Sequence, residues 1–223
     1  MAILKTKPPI RHIPFKPEWV LYEDPDILVV DKPAGLLSVP GREADPSASL
    51  IGQIHTRYPD ALIVHRLDMD TSGIMVLARN AQGHRALSKQ FEQRQTKKQY
   101  QAICFGRPTQ TKGSVNLPMR CDWENRPIQM IDFKQGKFAQ THWQLVEQMD
   151  RSFKVLLTPI TGRSHQLRLH MKQLGHPILG DNLYADADSL NAALRLCLHA
   201  SLLTFTHPTT AESLNFTHPA EFW

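Results

Sequence analysis

The stretch LIVHRLDMDTSGIMVLA, residues 62–78, places a short charged segment between two apolar runs. Its charged and titratable residues are His65, Arg66, Asp68 and Asp70. Apolar runs of this length bounded by polar and glycine residues are typical of β-strands. The pattern predicts a strand over 62–67, a polar turn over 68–73 and a second strand over 74–78. The chain would then carry the Asp68 carboxylate to the end of one strand and return through Gly73.

The elements around this stretch predict an α+β domain. The apolar run 27–30 reads as a buried strand that ends at Pro33, and the segments KQYQAICFG and SFKVLLTPITG read as further strands. A helix is predicted within SLIGQIHTRYP, which Pro59 stops. A second helix over 81–95 would turn Leu87 and Phe91 inward. No internal repeat or long linker divides the chain, which favours one domain.

The segment SHQLRLHMKQLG has the clearest helical pattern. Its apolar face would consist of Leu167, His170, Met171 and Leu174. Ser164 is predicted as the N-cap, and Gly175 stands where a glycine often ends a helix. Arg163 would lie at the mouth of this helix, beside free N–H groups, in a position that suits an anion.

The charge balance favours a polyanionic partner. Lys and Arg outnumber Asp and Glu by 26 to 21, which gives a formal net charge of +5. Residues 79–98 carry six basic side chains and one acidic side chain. This basic segment either meets nucleic-acid phosphates or forms an ordinary solvated helix face, and the pattern alone leaves both interpretations open.

Cysteine usage and the apolar pattern predict a soluble, cytoplasmic protein. The three cysteines form no CxxC pair, which is typical of reduced intracellular thiols. The first twenty residues contain charges and four prolines where a signal peptide would be apolar. No apolar stretch approaches the length of a membrane span, so no membrane association is expected.

Several familiar kinds of catalytic site do not fit the sequence. His165 and His170 would lie about 140° apart around a helix, so they predict no metal site. Asp68 and Asp70 in a polar turn are poorly placed as a glycosidase pair, and Asp70 reads as a turn residue. No nucleophile elbow, Walker loop or dinucleotide glycine pattern is present. What remains is a lone acid, Asp68, preceded by Arg66.

The segment VHRLDMDTSGIMVLAR resembles the signature of the RluA family of pseudouridine synthases, which contains HRLD followed by a T-S/T-G turn. Four further segments are similar to family segments and occur in the family order: ILVVDKPAGLLSVPG, KKQYQAICFG, LTPITGRSHQLRLHMKQLGHPILGD and LCLHA. The resemblance spans about residues 27–200. It implies an α+β catalytic domain with a mixed, largely antiparallel sheet, flanking helices and a central cleft.

The resemblance also implies a domain organisation. We expect a single catalytic domain over 1–223, with residues 1–20 as a loosely ordered N-terminal arm. About twenty-five residues precede ILVVDKPAG, so no S4 RNA-binding domain is expected.

Carried onto this chain, the family pattern assigns roles to four residues. Asp68 would be the catalytic carboxylate, and Arg66 would help displace the target base. Tyr100 would pack on the uracil, although a strand tyrosine in the core would give the same sequence pattern. Arg163 would pair with the catalytic Asp68. No metal and no cofactor are expected, because the reaction is an isomerisation without net redox change.

The resemblance further implies an RNA substrate. The chain is similar in length to the family's dual-specificity member, which implies uridine 746 of 23S rRNA and uridine 32 of certain tRNAs as stem-loop targets. A monomer without membrane or DNA partners is expected. A synthase with a single RNA target and a non-catalytic RNA-binding module are the alternatives.

Overall fold

The computed structural model describes residues 13–41 and 45–223. Its helices are short, and two 3-10 turns at Pro17–Trp19 and Pro46–Ala48 accompany them. The four α-helices are α1 Leu50–Ile54, α2 Ala81–Glu92, α3 Gln166–Gln173 and α4 Ala187–Asn191. The first six strands are β1 Val20–Glu23, β2 Ile27–Lys32, β3 Leu62–Ile63, β4 Ser72–Ala78, β5 Lys97–Phe105 and β6 Lys112–Asn116. The other six are β7 Met119–Cys121, β8 Gln129–Ile131, β9 Gln140–Gln148, β10 Ser152–Pro159, β11 Leu198–Thr206 and β12 Ser213–Thr217.

The described chain divides into two units. Of the described residues, the first unit contains 13–41, 45–98 and His199–Ala220, and the second contains Gln99–Leu198 and Glu221–Trp223.

The first unit is built on a mixed sheet. Its strands follow the order β1-β2-β4-β11, with β3 paired to β4 and β12 paired to β11. All of these pairs are antiparallel except β4 with β11, where Ser72 pairs in parallel with His199. All seven residues of β4 are buried. The sheet packs its apolar face against Leu87 of α2, as the helical pattern predicted.

The second unit contains an antiparallel sheet with the strand order β5-β10-β9-β6 and a separate β7-β8 hairpin. Helix α3 packs Leu167 and Met171 against this sheet in the main core cluster. Short helices and mixed, largely antiparallel sheets confirm the predicted α+β class.

Most predicted elements are present with different ends. The strand predicted at 27–30 extends to Lys32, and α2 ends three residues before the predicted position. Arg94 just beyond α2 has a φ of 58°, a left-handed conformation that stops the helix. The strand predicted over 62–67 is wrong beyond Ile63, because the ladder with β4 contains only Leu62 and Ile63.

The start of α3 also differs from the prediction. Ser164 is not the N-cap; His165 occupies that position with a φ of 54° and makes no side-chain capping bond. The reason lies in the next residue, because the buried Gln166 amide oxygen accepts the Arg163 N–H at 3.0 Å. This side chain therefore fixes the turn that leads into the helix, and it does not cap the free N–H groups of the first helical turn.

The predicted N-terminal arm lies partly outside the described residues, since 1–12 are not described. Of the remainder, Trp19 is buried and the Phe15 ring packs on it edge-on at 5.8 Å. The Phe15 N–H donates to the Gln53 side chain at 2.9 Å. Ordered packing therefore begins before Ile27, because two aromatic rings find apolar partners in the first unit.

Candidate active site

The HRLD segment lies in a loop of the first unit rather than in a strand. After Ile63 the chain leaves the edge of β4, and the Val76 N–H of β4 donates to His65 Nε2 at 3.1 Å. A continued ladder would have used a backbone carbonyl of the neighbouring strand for this bond. The imidazole thus replaces a strand partner and satisfies a buried N–H where the chain turns away.

His65 is a neutral hydrogen-bond acceptor. Its ring stacks on Phe91 of α2, with ring centres 4.3 Å apart and planes 16° from parallel. Burial, reinforced by the positive charge of Lys98, lowers the pKa of His65 to about 3. Because Nε2 accepts from Val76, the single ring proton is assigned to Nδ1. The sequence favoured structural histidines over metal ligands, but no pattern in it pointed to the contact of His65 with Val76.

Two further side chains of the first unit hold the loop from the β2 side. The Ser38 hydroxyl accepts the Leu67 N–H at 3.1 Å and donates to the Leu67 carbonyl at 2.8 Å. The fully buried Lys32 ammonium donates to the carbonyls of Met69, Leu36 and Pro33 at 2.8–3.0 Å. The carbonyl groups thus compensate much of the cost of burying this charge.

The side chains of the loop alternate between the interior and the surface. Leu67 is buried, whereas Arg66 on one side is exposed and Asp68 on the other is half-buried. The Asp68 carbonyl accepts the Thr71 N–H at 3.2 Å, which closes a turn after the acid. Anchoring Leu67 therefore presents Arg66 and Asp68 together, away from the core of the first unit.

The turn ends in a tight contact between β4 and β11. Gly73 has a φ of 119°, and a Cβ added there would lie 2.4 Å from the backbone N and O of Ala200. Beside it, Ser72 Oγ and His199 Nδ1 lie 2.9 Å apart, and His199 Nε2 lies 2.9 Å from the His218 carbonyl. Glycine is required here by both the conformation and the close approach of the backbones.

The second unit contains the other two predicted site residues. Tyr100 is half-buried on β5 and packs against the core cluster of this unit. Arg163 is exposed in the turn before α3, and its Nε donates to the Phe138 carbonyl at 3.2 Å. The Tyr184 hydroxyl, 2.8 Å from His165 Nδ1, supports the left-handed residue at the helix start. The predicted position of Arg163 at the mouth of α3 is thus observed.

Arg66 and Asp68 belong to the first unit, and Tyr100 and Arg163 belong to the second. One loop of the first unit carries both Arg66 and Asp68, while the pairing of Arg163 with Asp68 stays a prediction. Sequence reasoning missed Lys32, Ser38 and His65 as supports of the loop. The lysine at 32, two residues after the apolar run ILVV, was the one available signal, because a charge so close to a buried strand needs partners.

Another cluster of titratable groups lies where the β1–β2 turn meets the end of β11. Among the described residues, Asp24, Asp26 and His207 bring ligand-type atoms within 4.8 Å of one another. Asp24 already accepts bonds from the N–H groups of Asp26 and Ile27, from the Tyr22 hydroxyl and from His207. Its oxygens are therefore used to join the β1–β2 turn to the end of β11.

Among the residues that the structure describes, no helix combines the length and apolar character needed to cross a bilayer.

Comparison with known proteins shows the family to which the chain belongs. Residues 26–173 match the family model of RNA pseudouridylate synthases, and the chain therefore belongs to this family. The protein is an isomerase that converts uridine to pseudouridine in RNA, which confirms the predicted activity.

Two bacterial relatives and one solved human structure are similar to most of this chain. The dual-specificity RNA pseudouridine synthase RluA of Escherichia coli O6:H1 is 51% identical over 204 residues, covering 91% of this chain and 93% of the relative. The RluA of Haemophilus influenzae is 46% identical over 223 residues and covers all of both chains. Among solved structures, human RNA pseudouridylate synthase domain containing 1 matches with a TM-score of 0.79 and 30% identity. That match covers 95% of this chain and 87% of the human chain.

Proposed function

We propose that Asp68 is the catalytic carboxylate of this synthase. The observation that carries the proposal is the loop around it, where the backbone bonds of Leu67 and Met69 fix the chain on both sides of the acid. In the reaction the N1–C1′ bond of uridine breaks, a C5–C1′ bond forms, and the C5 proton is replaced by one on N1. The carboxylate either adds to C1′ as a nucleophile or removes the 2′ proton.

Arg66 is the residue proposed to occupy the space that the flipped uridine leaves. A uridine within a folded RNA must leave its stack before its sugar can be reached, and the vacancy costs stacking energy. Arg66 is exposed two residues before Asp68, on the side of the loop opposite the buried Leu67. A planar guanidinium can stack between bases and contact phosphates at once.

Tyr100 and Arg163 complete the proposed site. The tyrosine ring would pack on the extruded uracil, since unstacked RNA bases are commonly held on aromatic faces. The Arg163 guanidinium would pair with the Asp68 carboxylate through charge-assisted hydrogen bonds.

The proposed substrates are stem-loops of two RNA classes, with uridine 746 of 23S rRNA and uridine 32 of certain tRNAs as the targets. The dual specificity in the names of the Escherichia coli and Haemophilus influenzae relatives supports this proposal. We place the protein in the cytoplasm as a monomer that needs neither metal nor cofactor, since the reaction changes no oxidation state.

A map of pseudouridines in cells tests both the targets and the role of Asp68. Ribosomal and transfer RNA from cells lacking the gene would be treated with carbodiimide and read by primer extension. We expect stops at both positions to disappear, to return with the wild-type gene, and to stay absent with Asp68→Asn. Loss at one position alone would favour the single-target alternative, and restoration by Asp68→Asn would contradict the catalytic role.

Helix α2 supplies a surface for the RNA backbone. Arg85 and Lys89 lie one turn apart and are exposed, and Arg94 and Lys97 follow them on the surface. Within the described part of the chain, none of these four side chains forms an ion pair with an acid. Unneutralised cations on α2 and in the segment that follows it fit the phosphates of a stem, which favours this interpretation of the basic segment.

Removing one of these charges should weaken RNA binding in a salt-dependent way. For Lys89→Ala we expect weaker binding of every stem-loop tested and a slope of log K against log salt that is smaller by roughly 0.7–0.9. Binding titrations at several salt concentrations measure both quantities. Arg107→Ala is the control, because it removes an exposed charge that Asp150 already neutralises in the second unit. Equal slopes for Lys89→Ala and wild type would mean that the α2 face meets only solvent.

A further inference from the structure

Ser38 makes an unusual pair of bonds to one residue. Its hydroxyl accepts the N–H of Leu67 and donates to the carbonyl of the same residue, at 3.1 and 2.8 Å. The serine itself is 3% exposed, and Leu67 is 8% exposed. One small side chain thus satisfies both backbone polar groups of the residue that separates Arg66 from Asp68.

These two bonds substitute for a missing strand partner. Leu67 lies four residues beyond the end of β3, so it takes no part in the ladder with β4. The other supports of the loop act two residues away on either side of Leu67, through the His65 ring and the Met69 carbonyl. Buried backbone groups that lose their partners are costly, so a chain without this hydroxyl would shift to find new ones.

We propose that Ser38 is a positioning residue, whose hydroxyl sets the position of the Asp68 carboxylate by fixing the backbone of Leu67. This inference rests on the proposed catalytic role of Asp68. A displacement of about 1 Å at a reacting group can cost roughly a hundredfold in rate. Ser38 itself contributes no group to the chemistry, so its effect should fall on the rate of the bound complex rather than on RNA affinity.

The test compares two serine deletions. For Ser38→Ala we expect kcat to fall roughly 10- to 100-fold while KM stays within about threefold of the wild-type value. Ser189→Ala is the matched control, because that buried hydroxyl also makes local bonds, to Asp186 at the start of α4 in the second unit. The control should lose similar thermal stability and keep its kcat. Ser38→Thr, which retains the hydroxyl, should recover most of the lost rate.

Two outcomes would overturn the inference: a kcat within threefold of wild type for Ser38→Ala, or equal losses of kcat in both alanine variants. If Ser38→Ala does not fold, hydrogen exchange in the wild-type protein tests the inference instead. The Leu67 amide should exchange slowly, and fast exchange would contradict its fixation by Ser38. Asp68→Asn separates the two proposals. If the Asp68→Asn protein is active, the proposed catalytic role of Asp68 is wrong. If Asp68→Asn is inactive while the separate Ser38→Ala variant is fully active, only the inference about Ser38 is wrong.

Discussion

Turnover should fall by about 10⁴-fold or more when Asp68 is replaced by asparagine, because loss of a nucleophile or general base removes the chemical step itself. The amide keeps the size of the carboxylate, and the loop supports at Leu67 and Met69 do not involve the Asp68 side chain. The folded structure and RNA affinity should therefore be retained. Single-turnover conversion of a tRNA stem-loop and a binding titration measure these two quantities.

Asp70→Asn is the matched control for this experiment. Asp70 is half-buried in the same loop, two residues further along, and carries the same charge. We expect its asparagine variant to stay within tenfold of wild type in the same assay. If both variants lose turnover equally, the effect belongs to the charge of the loop as a whole and the assignment of Asp68 is wrong.

The second large effect concerns stability. Arg168 of α3 is 2% exposed and donates from Nε and from a terminal nitrogen to the two carboxylate oxygens of Asp181 at 2.8 and 2.6 Å. Asp181 also accepts the N–H groups of Leu183 and Tyr184. For Arg168→Met we expect the free energy of unfolding to fall by about 3–5 kcal/mol, because the variant leaves Asp181 buried without its counter-ion. Urea denaturation measures the change.

The exposed pair of Arg151 with Asp188 gives the control. Each side chain is 71% exposed at a separation of 3.4 Å, and Arg151→Ala should change the free energy of unfolding by less than about 1 kcal/mol. A comparable loss of stability in Arg168→Met and Arg151→Ala would mean that the buried pair stabilises the protein no more than the exposed pair does. The double variant Arg168→Met/Asp181→Leu should recover part of the loss, because it removes the unpaired charge.

The Arg168–Asp181 pair also determines how the free energy of unfolding changes with pH. Burial raises the pKa of Asp181, but the hydrogen bonds and charge of Arg168 and the two backbone N–H groups outweigh it and lower the pKa below its ordinary value. A lowered native pKa contributes stability above the pKa of the unfolded chain, near 4. This contribution is lost as the pH falls through the native value. Acid unfolding should therefore be steeper for the wild-type protein than for Arg168→Met.

Local patterns predicted the regular elements well and their limits less well. The apolar runs that became β2 and β4, and the amphipathic pattern of α2, depend on neighbouring residues and are visible in the sequence. The early end of β3 depends on His65 reaching Val76 eleven positions away. The start of α3 likewise depends on bonds from Gln166 to other elements. Such tertiary contacts override local preference and leave no periodic signal.

The site residues show the same division. The motif resemblance predicted Arg66 and Asp68 as site residues, and the structure places both on one loop. The supports of that loop come from positions that look ordinary in sequence, a serine at 38 and a lysine at 32. Arg168 was missed for a related reason. A charged residue within an amphipathic helix suggests an exposed side chain, but the distant partner Asp181 allows Arg168 to be buried.

The contact at Gly73 limits what evolution and protein engineering can do with this fold. Even alanine would drive a methyl group into the main chain of Ala200, so position 73 has no conservative replacement. Gly175 makes the contrast, since it has a φ of 81° with nothing within 4 Å of an added Cβ, and asparagine can adopt that conformation in open space. Libraries that diversify this enzyme toward new RNA substrates should randomise freely around the second glycine and never touch the first.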